Sequence, residues 1–150
     1  MTTFKSLGIS AQLVQGLEAL GITKPTEIQI QAIPKLLKQA GDFIGLAQTG
    51  TGKTAAYGLP ILQQIDLSNA KIQALILCPT RELGQQIAKQ LFKFTKFTDK
   101  IYTEAVYGGE KIEEQISALR RPTHILVATP GRLLDLQRRK AVDLRYIKTV

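Results

Sequence analysis

The run Ala47-Gln48-Thr49-Gly50-Thr51-Gly52-Lys53-Thr54 places small residues, a lysine and a hydroxyl at the spacing of a phosphate-binding loop. Small residues let the backbone curl so that successive N–H groups point inward, and a helix opening at this point adds positive potential. A triphosphate can then be wrapped by donors without side-chain clash, with Lys53 reaching its β and γ phosphates. The Thr54 hydroxyl suits Mg²⁺, which neutralises the remaining phosphate charge. Only the first glycine of the general pattern is replaced, by Ala47. The plainer reading is a glycine-rich turn with a solvated lysine. It leaves a cation opposing the helix dipole with no anion to compensate.

A second candidate is Gly21-Ile22-Thr23-Lys24-Pro25-Thr26-Glu27-Ile28-Gln29. Thr26 to Gln29 has the form of a capping box, in which Thr26 caps a helix and Gln29 reaches back. The Gln29 amide also carries one donor and one acceptor, which can pair with the N6/N7 edge of adenine. Both readings are open at this point.

These groups need elements to position them. Helical periodicity falls at roughly 10–20, 26–39, 53–65, 80–94, 110–120 and 131–140, with Gly21 closing the first. Apolar, β-branched runs at 43–47, 72–78, 101–106 and 124–128 predict strands, each followed by turn or cap residues. The alternation predicts an α/β fold with a parallel sheet covered by helices on both faces and ligand sites outside the carboxyl ends of the strands. Pro34 is expected to bend the second helix. No repeat, low-complexity tract or linker divides the chain.

A chain of 150 residues is long enough to bury a core without a metal or disulfide. Its 44% apolar content excludes disorder and collagen-like repeats. The single cysteine, Cys78, rules out an internal disulfide framework. The N-terminal residues lack the apolar run of a signal peptide, so a cytoplasmic location is expected. The longest apolar run, 74–78, has five residues, so no membrane span is expected. The net charge of +8 is uneven: residues 1–80 hold six basic and four acidic groups (+2), and residues 81–150 hold fourteen and eight (+6). A phosphate-backbone binder would show such a basic second half, and so would solvated helix faces.

The segment from Gly21 to Gln29 resembles the Q motif of the DEAD-box RNA helicases, with Phe4 as the upstream aromatic seventeen residues before Gly21. The resemblance implies that Gln29 and Phe4 hold adenine and that ATP is the preferred nucleotide. Without it, Phe4 reads as a staple packing the N-terminus on the first helix. Residues 47–54 look like the family's motif I, where alanine commonly opens the loop. The likeness runs from Phe4 to the last residues, and no guanine-reading N-K-x-D pattern supports a GTPase. It implies a P-loop NTPase (RecA-like) sheet, incomplete at the C-terminal end. Residues 1–150 would be the N-terminal part of the first helicase domain, with the Q motif at about 2–30.

Three further segments follow predicted strands. Pro79-Thr80-Arg81-Glu82 offers Thr80 as a helix cap, while Arg81 sits at the dipole-unfavourable end unless it meets a phosphate. Gly108-Gly109 is by itself a turn near Tyr107. Thr129-Pro130-Gly131-Arg132 has Thr129 as cap, Pro130 at the first helical position and Gly131 allowing close approach of a ligand backbone. They resemble the family's motif Ia, GG doublet and motif Ib. The resemblance implies RNA held by its sugar-phosphate backbone, with salt-dependent affinity and little sequence selectivity. Gly84 departs from the alanine usual after motif Ia and is expected to weaken only helix propensity. Arg120-Arg121 and Arg138-Arg139-Lys140 read as solvated helix ends, and His124 and Cys78 as core or strand-boundary residues.

Hydrolysis also needs an acid to position Mg²⁺ and a group to orient water, normally at the end of an apolar strand. Asp135 and Asp66 fall in or at the end of helical patterns, so neither fits. In the family the D-E-A-D strand follows soon after a segment like 146–150, so that motif, S-A-T and the second domain with its arginine fingers are expected outside these residues. The expectation is the first part of a helicase coupling ATP to local RNA unwinding. Alone, it would bind ATP weakly without efficient hydrolysis or unwinding, and an unpaired interior strand would make it marginally stable. The alternative is a non-enzymatic, truncated P-loop module binding RNA or a protein partner. An unrelated P-loop kinase or GTPase is disfavoured by Gln29 with Phe4.

Overall fold

The computed structural model describes residues 1–38 and 41–150. They form two compact units, Met1–Gln64 with Lys93–Asp99, and Ile65–Phe92 with Lys100–Val150.

The first unit is helical, with α1 (Ala11–Glu18), α2 (Glu27–Leu37) and α3 (Lys53–Gln63). Leu13 and Leu17 of α1, Ala32 and Ile33 of α2, and Leu59 and Leu62 of α3 recur at helical spacing, and all are buried. Gly16 shares the inner face of α1. A Cβ there would overlap the carbonyl oxygen of Phe94, so only glycine admits that backbone. Gln64 closes the end of α2 by donating to the carbonyls of Leu36 (3.0 Å) and Leu37 (3.3 Å). α2 runs unbroken through Pro34, whose missing N–H leaves the Ile30 carbonyl without its helical donor. The helix expected at 26–39 thus ends at Leu37, and Gln39 lies outside the described residues.

The strand expected at 43–47 is not formed, since residues 42–48 have no regular structure. Ile44 and Leu46 are 87% and 91% exposed. Strand propensity chiefly measures how a side chain packs in a sheet, and the only sheet among the described residues is built from residues 74–77, 103–106 and 125–128.

The second unit holds β1 (Ala74–Leu77), α4 (Arg81–Phe94, its last two residues in the first unit), β2 (Thr103–Val106), α5 (Ile112–Leu119), β3 (Ile125–Ala128) and α6 (Pro130–Arg138). The strands pair in parallel in the order β1-β3-β2, with Ala74 and Thr103 flanking Ile125. Each is shorter than its apolar run by one to three residues because pairing, not hydrophobicity, sets its ends. Lys148 N–H donates to the Gln73 carbonyl (2.8 Å) and Leu75 N–H to that of Thr149 (3.0 Å), which begins a further parallel pairing at Ala74.

Residues 125–128 are completely buried, as expected of a central strand covered on both faces. Leu75, Leu126 and Val106 pack with Ile112 of α5 and with Leu133 and Leu136 of α6. α4 covers the opposite face, where a Cβ on Gly84 would lie 3.1 Å from Cys78 Sγ and 3.8 Å from Val127. Gly84 therefore does more than lower helix propensity, correcting the expectation from sequence. It lets α4 approach the sheet closely.

Candidate nucleotide and nucleic-acid sites

In the first unit, the loop into α3 has the backbone expected of a phosphate cradle. Gly50 and Gly52 take φ of +80° and +81°, the left-handed region that favours glycine. Gly52 is the N-cap of α3, and the first N–H to bond back is that of Ala56, to the Gly52 carbonyl (3.1 Å). The N–H groups of Lys53, Thr54 and Ala55 thus have no intrahelical acceptor. Thr51 Oγ1 donates to the Gln48 carbonyl (2.7 Å), and Lys53 Nζ to that of Ala47 (2.7 Å). The lysine lies across the loop it belongs to, with a carbonyl oxygen where a phosphate oxygen would bind.

The Q segment is tied to this loop. Gln29 Oε1 accepts from Thr26 N–H (2.9 Å), the return leg of a capping box, and Nε2 donates to the Gly52 carbonyl (3.0 Å). Thr26 Oγ1 donates to the Thr51 carbonyl (2.8 Å). The capping reading of Gln29 is therefore realised. The amide keeps one further N–H and one further lone pair, the two an adenine edge would need. Phe4 is buried in the core at 2% exposure, which agrees with the staple reading of its ring. An open groove of about 430 Å³ lies beside the loop, lined by residues including Thr26, Ile28, Ala47, Gln48 and Thr51.

These residues fit a magnesium–nucleotide. Unpaired donors converge at a helix N-terminus, a lysine is within reach, and Thr54 stands at the second helical position. Among the described residues, no group of three or more His, Cys, Asp or Glu converges. Of these residues, the Thr54 hydroxyl is the one that would contact Mg²⁺, together with phosphate oxygens and water.

In the second unit, the parallel sheet brings three predicted segments to one edge. They follow β1, β2 and β3 at their carboxyl ends, whose last paired residues are Leu77, Val106 and Ala128. Pro79 and Glu82 are exposed, and Thr80 Oγ1 accepts from Leu83 N–H (3.2 Å), capping α4. Arg81 does not face empty solvent. It pairs with the Glu110 carboxylate, and its guanidinium lies 5.1 Å over the Tyr107 ring.

Gly108 and Gly131 are exposed, with nothing within 4 Å of an added Cβ, so a ligand backbone can approach both. Gly109 has φ +86° and turns the chain after β2. Thr129 is the N-cap of α6 and Pro130 its first residue, as expected, but the Thr129 hydroxyl makes no cap bond. Arg132 donates from Nη1 and Nη2 to the Glu110 carbonyl (3.2 and 3.1 Å) and from Nη1 to Gln115 Oε1 (2.9 Å). Arg132 thus braces the glycine loop.

Sequence reasoning missed Glu110 and Gln115. Gln115 is buried, and its amide brackets Tyr107 by accepting from its N–H (3.3 Å) and donating to its carbonyl (3.0 Å). The signal was available: Gln115 interrupts the apolar stripe Ile112, Ile116, Leu119 on α5, and a polar residue on an inward stripe must find partners. His124 and Cys78 are buried, as read from sequence. His124 Nδ1 accepts from Tyr102 N–H (2.9 Å), and burial holds its pKa down. Burial pushes the Cys78 thiol up.

A parallel α/β sheet in one unit and a left-handed glycine loop opening a helix in the other are features of the P-loop NTPase fold class. The family model for DEAD/DEAH box helicases matches residues 26–150, and the chain belongs to that family. It is 45% identical over its whole length to the DEAD-box ATP-dependent RNA helicase CshA of Bacillus cereus, and 49% identical over 147 residues to CshA of Streptococcus pneumoniae. It spans 28% of the length of each. Among solved structures, a DEAD box protein from Methanococcus jannaschii superposes with a TM-score of 0.92 at 34% identity, over 99% of this chain and 40% of that one. Saccharomyces cerevisiae Dbp5 bound to RNA and ADP BeF3 gives 0.87 at 35% identity, over 99% and 37%. These neighbours establish the RecA-like fold.

Proposed function

We propose that residues 1–150 are the N-terminal part of the ATP-binding, RecA-like first domain of an RNA helicase. In that role the chain binds MgATP at 47–54 and grips RNA by its backbone at 79–82, 108–109 and 129–132. Bound ATP would supply the triphosphate whose binding and hydrolysis drive opening of a short duplex in the whole protein. The observation that carries the reading is the loop itself: Gly50 and Gly52 left-handed, Lys53 turned inward, and the Gln29 amide fastened to the Gly52 carbonyl.

Lys53 would exchange the Ala47 carbonyl for the β and γ phosphates, replacing a neutral acceptor with anionic ones. Gln29, kept in place by Thr26 and Gly52, would present its remaining N–H and lone pair to adenine. Phe4, buried in the core, would serve the adenine site from behind, as the family resemblance implies. The RNA segments share exposed glycines and helix N-termini, which suit phosphate oxygens and read no bases. In isolation the 150 residues would bind ATP without turning it over. The residues that directly follow β1, β2 and β3 are Cys78, Tyr107 and Thr129, and the carboxylate nearest these ends, Glu110, is engaged with Arg81.

The test is titration of the isotopically labelled chain with MgATP and MgGTP. Amide signals of residues 49–54 should shift with ATP, shift less with GTP, and stay fixed in Lys53→Ala. Equal response to both nucleotides would remove the role given to Gln29. No response to either would remove the nucleotide site.

A further inference from the structure

Glu110 follows the glycine pair directly, and its carboxylate occupies the place at Arg81 where sequence reasoning expects a phosphate. Arg81 opens α4, where the helix dipole disfavours a cation unless an anion lies close. We propose that Glu110 is a built-in competitor for RNA phosphate, an internal anion that RNA must displace from Arg81 to engage this surface. The inference rests on the RNA-binding reading above and adds to it a residue that sets how strongly, and at what ionic strength, RNA is held.

The surrounding bonds make Glu110 a latch with a fixed base and a mobile arm. Its backbone is pinned because Arg132 donates twice to its carbonyl. Its side chain is 41% exposed and Arg81 is 38% exposed, so the pair lies in water where such ion pairs are weak and screened. Arg81 is held independently of Glu110 by the Tyr107 ring, whose hydroxyl accepts from Gln85 Nε2 (3.1 Å). When the carboxylate swings away, the guanidinium therefore keeps its position. A phosphate can replace a carboxylate there because both offer two oxygens to the guanidinium fork. The glycines at 108 and 109 leave the approach clear of side chains.

The measurement is anisotropy of a labelled oligouridylate about ten nucleotides long against the full chain, from low to high salt. Glu110→Gln should bind about 3- to 5-fold more tightly at low salt, and the gain should vanish as screening rises. An Arg81 freed from its internal anion collects a counterion that RNA releases, so the salt slope should steepen by about 0.7 in log–log terms. Glu113→Gln removes the same charge from α5 without touching Arg81 and should gain less than about half as much. In an Arg81→Gln background, Glu110→Gln should gain no more than Glu113→Gln does. No gain in Glu110→Gln, an equal gain in Glu113→Gln, or the full gain surviving Arg81→Gln would each overturn the latch. Failure of the RNA reading is a separate result: the unmodified chain would not bind, or would bind independently of salt and of Arg81→Gln.

Discussion

Alanine at Gly52 should cost far more than alanine at Gly50, although the two backbones are nearly identical at φ +81° and +80°. Both substitutions force a side chain into the left-handed region, which costs about 1–2 kcal/mol. At Gly50 that is the whole effect, since an added Cβ meets nothing within 4 Å. At Gly52 the Cβ would overlap Gln29 Nε2 and lie 3.3 Å from its Cδ. Gln29 is 2% exposed, so its amide can yield only by giving up its bonds to the Gly52 carbonyl and to Thr26 N–H. Two hydrogen bonds at about 0.5–1.5 kcal/mol each bring the Gly52 cost to about 2–5 kcal/mol. Urea unfolding of the two variants should therefore differ by about 2 kcal/mol. Combining Gly52→Ala with Gln29→Ala should cost less than the sum of the singles, because the second change removes what the first collides with. Equal midpoints for the two glycine variants, or simple additivity with Gln29→Ala, would refute the link between the Q segment and the phosphate loop.

Gly16→Ala should lower stability by about 1–3 kcal/mol in thermal unfolding, because overlap with the Phe94 carbonyl outweighs the helix propensity alanine adds. Burial depresses the His124 pKa below its ordinary 6.5, so the folded state favours the neutral ring; stability should be full above pH 6.5 and fall as the pH drops below it. His124→Asn, which can still accept from Tyr102 N–H, should remove that part of the pH dependence between pH 7 and 5, as measured by urea midpoints. Gln115→Leu strips the polar partners from Tyr107 and Arg132 and should weaken oligouridylate binding by about 5- to 20-fold while the MgATP-induced amide shifts persist.

The six helices and three of the four strands were legible because each carries its signal locally: helical apolar spacing in α1 to α6, β-branched runs bounded by turn residues in β1 to β3. The exception at 43–47 carries the same signal, yet Ile44 and Leu46 point their surface to water. A strand is a property of a pair, and one segment's composition cannot say whether its neighbour is present. The backbone of the glycine loop into α3 was legible for the opposite reason, since glycine at two special φ values and lysine at the helix start are all local requirements. Glu110 and Gln115 were not, because their roles depend on a parallel register that sets the ends of β2 and β3 side by side and draws Arg81 and Arg132 onto one glycine turn. Gly84 and Gly16 show the same limit. Their local effect is poor helix propensity, while their value lies in surfaces brought near by the fold.

Two cations that the sequence assigns to phosphate, Lys53 and Arg81, each already hold an internal oxygen, and the kind of oxygen predicts different ligand behaviour in the two units. Lys53 donates to a neutral carbonyl, so a polyphosphate replaces a neutral acceptor with an anionic one and gains without displacing another anion. Arg81 faces a carboxylate, so a phosphate replaces one anion with another and gains only through the additional donors around it: the α4 N-terminus, the open backbone at Gly108 and the approach at Gly131. A single phosphate group should therefore bind poorly at Arg81. A strand carrying several phosphates in register should displace the carboxylate, because it meets those donors together.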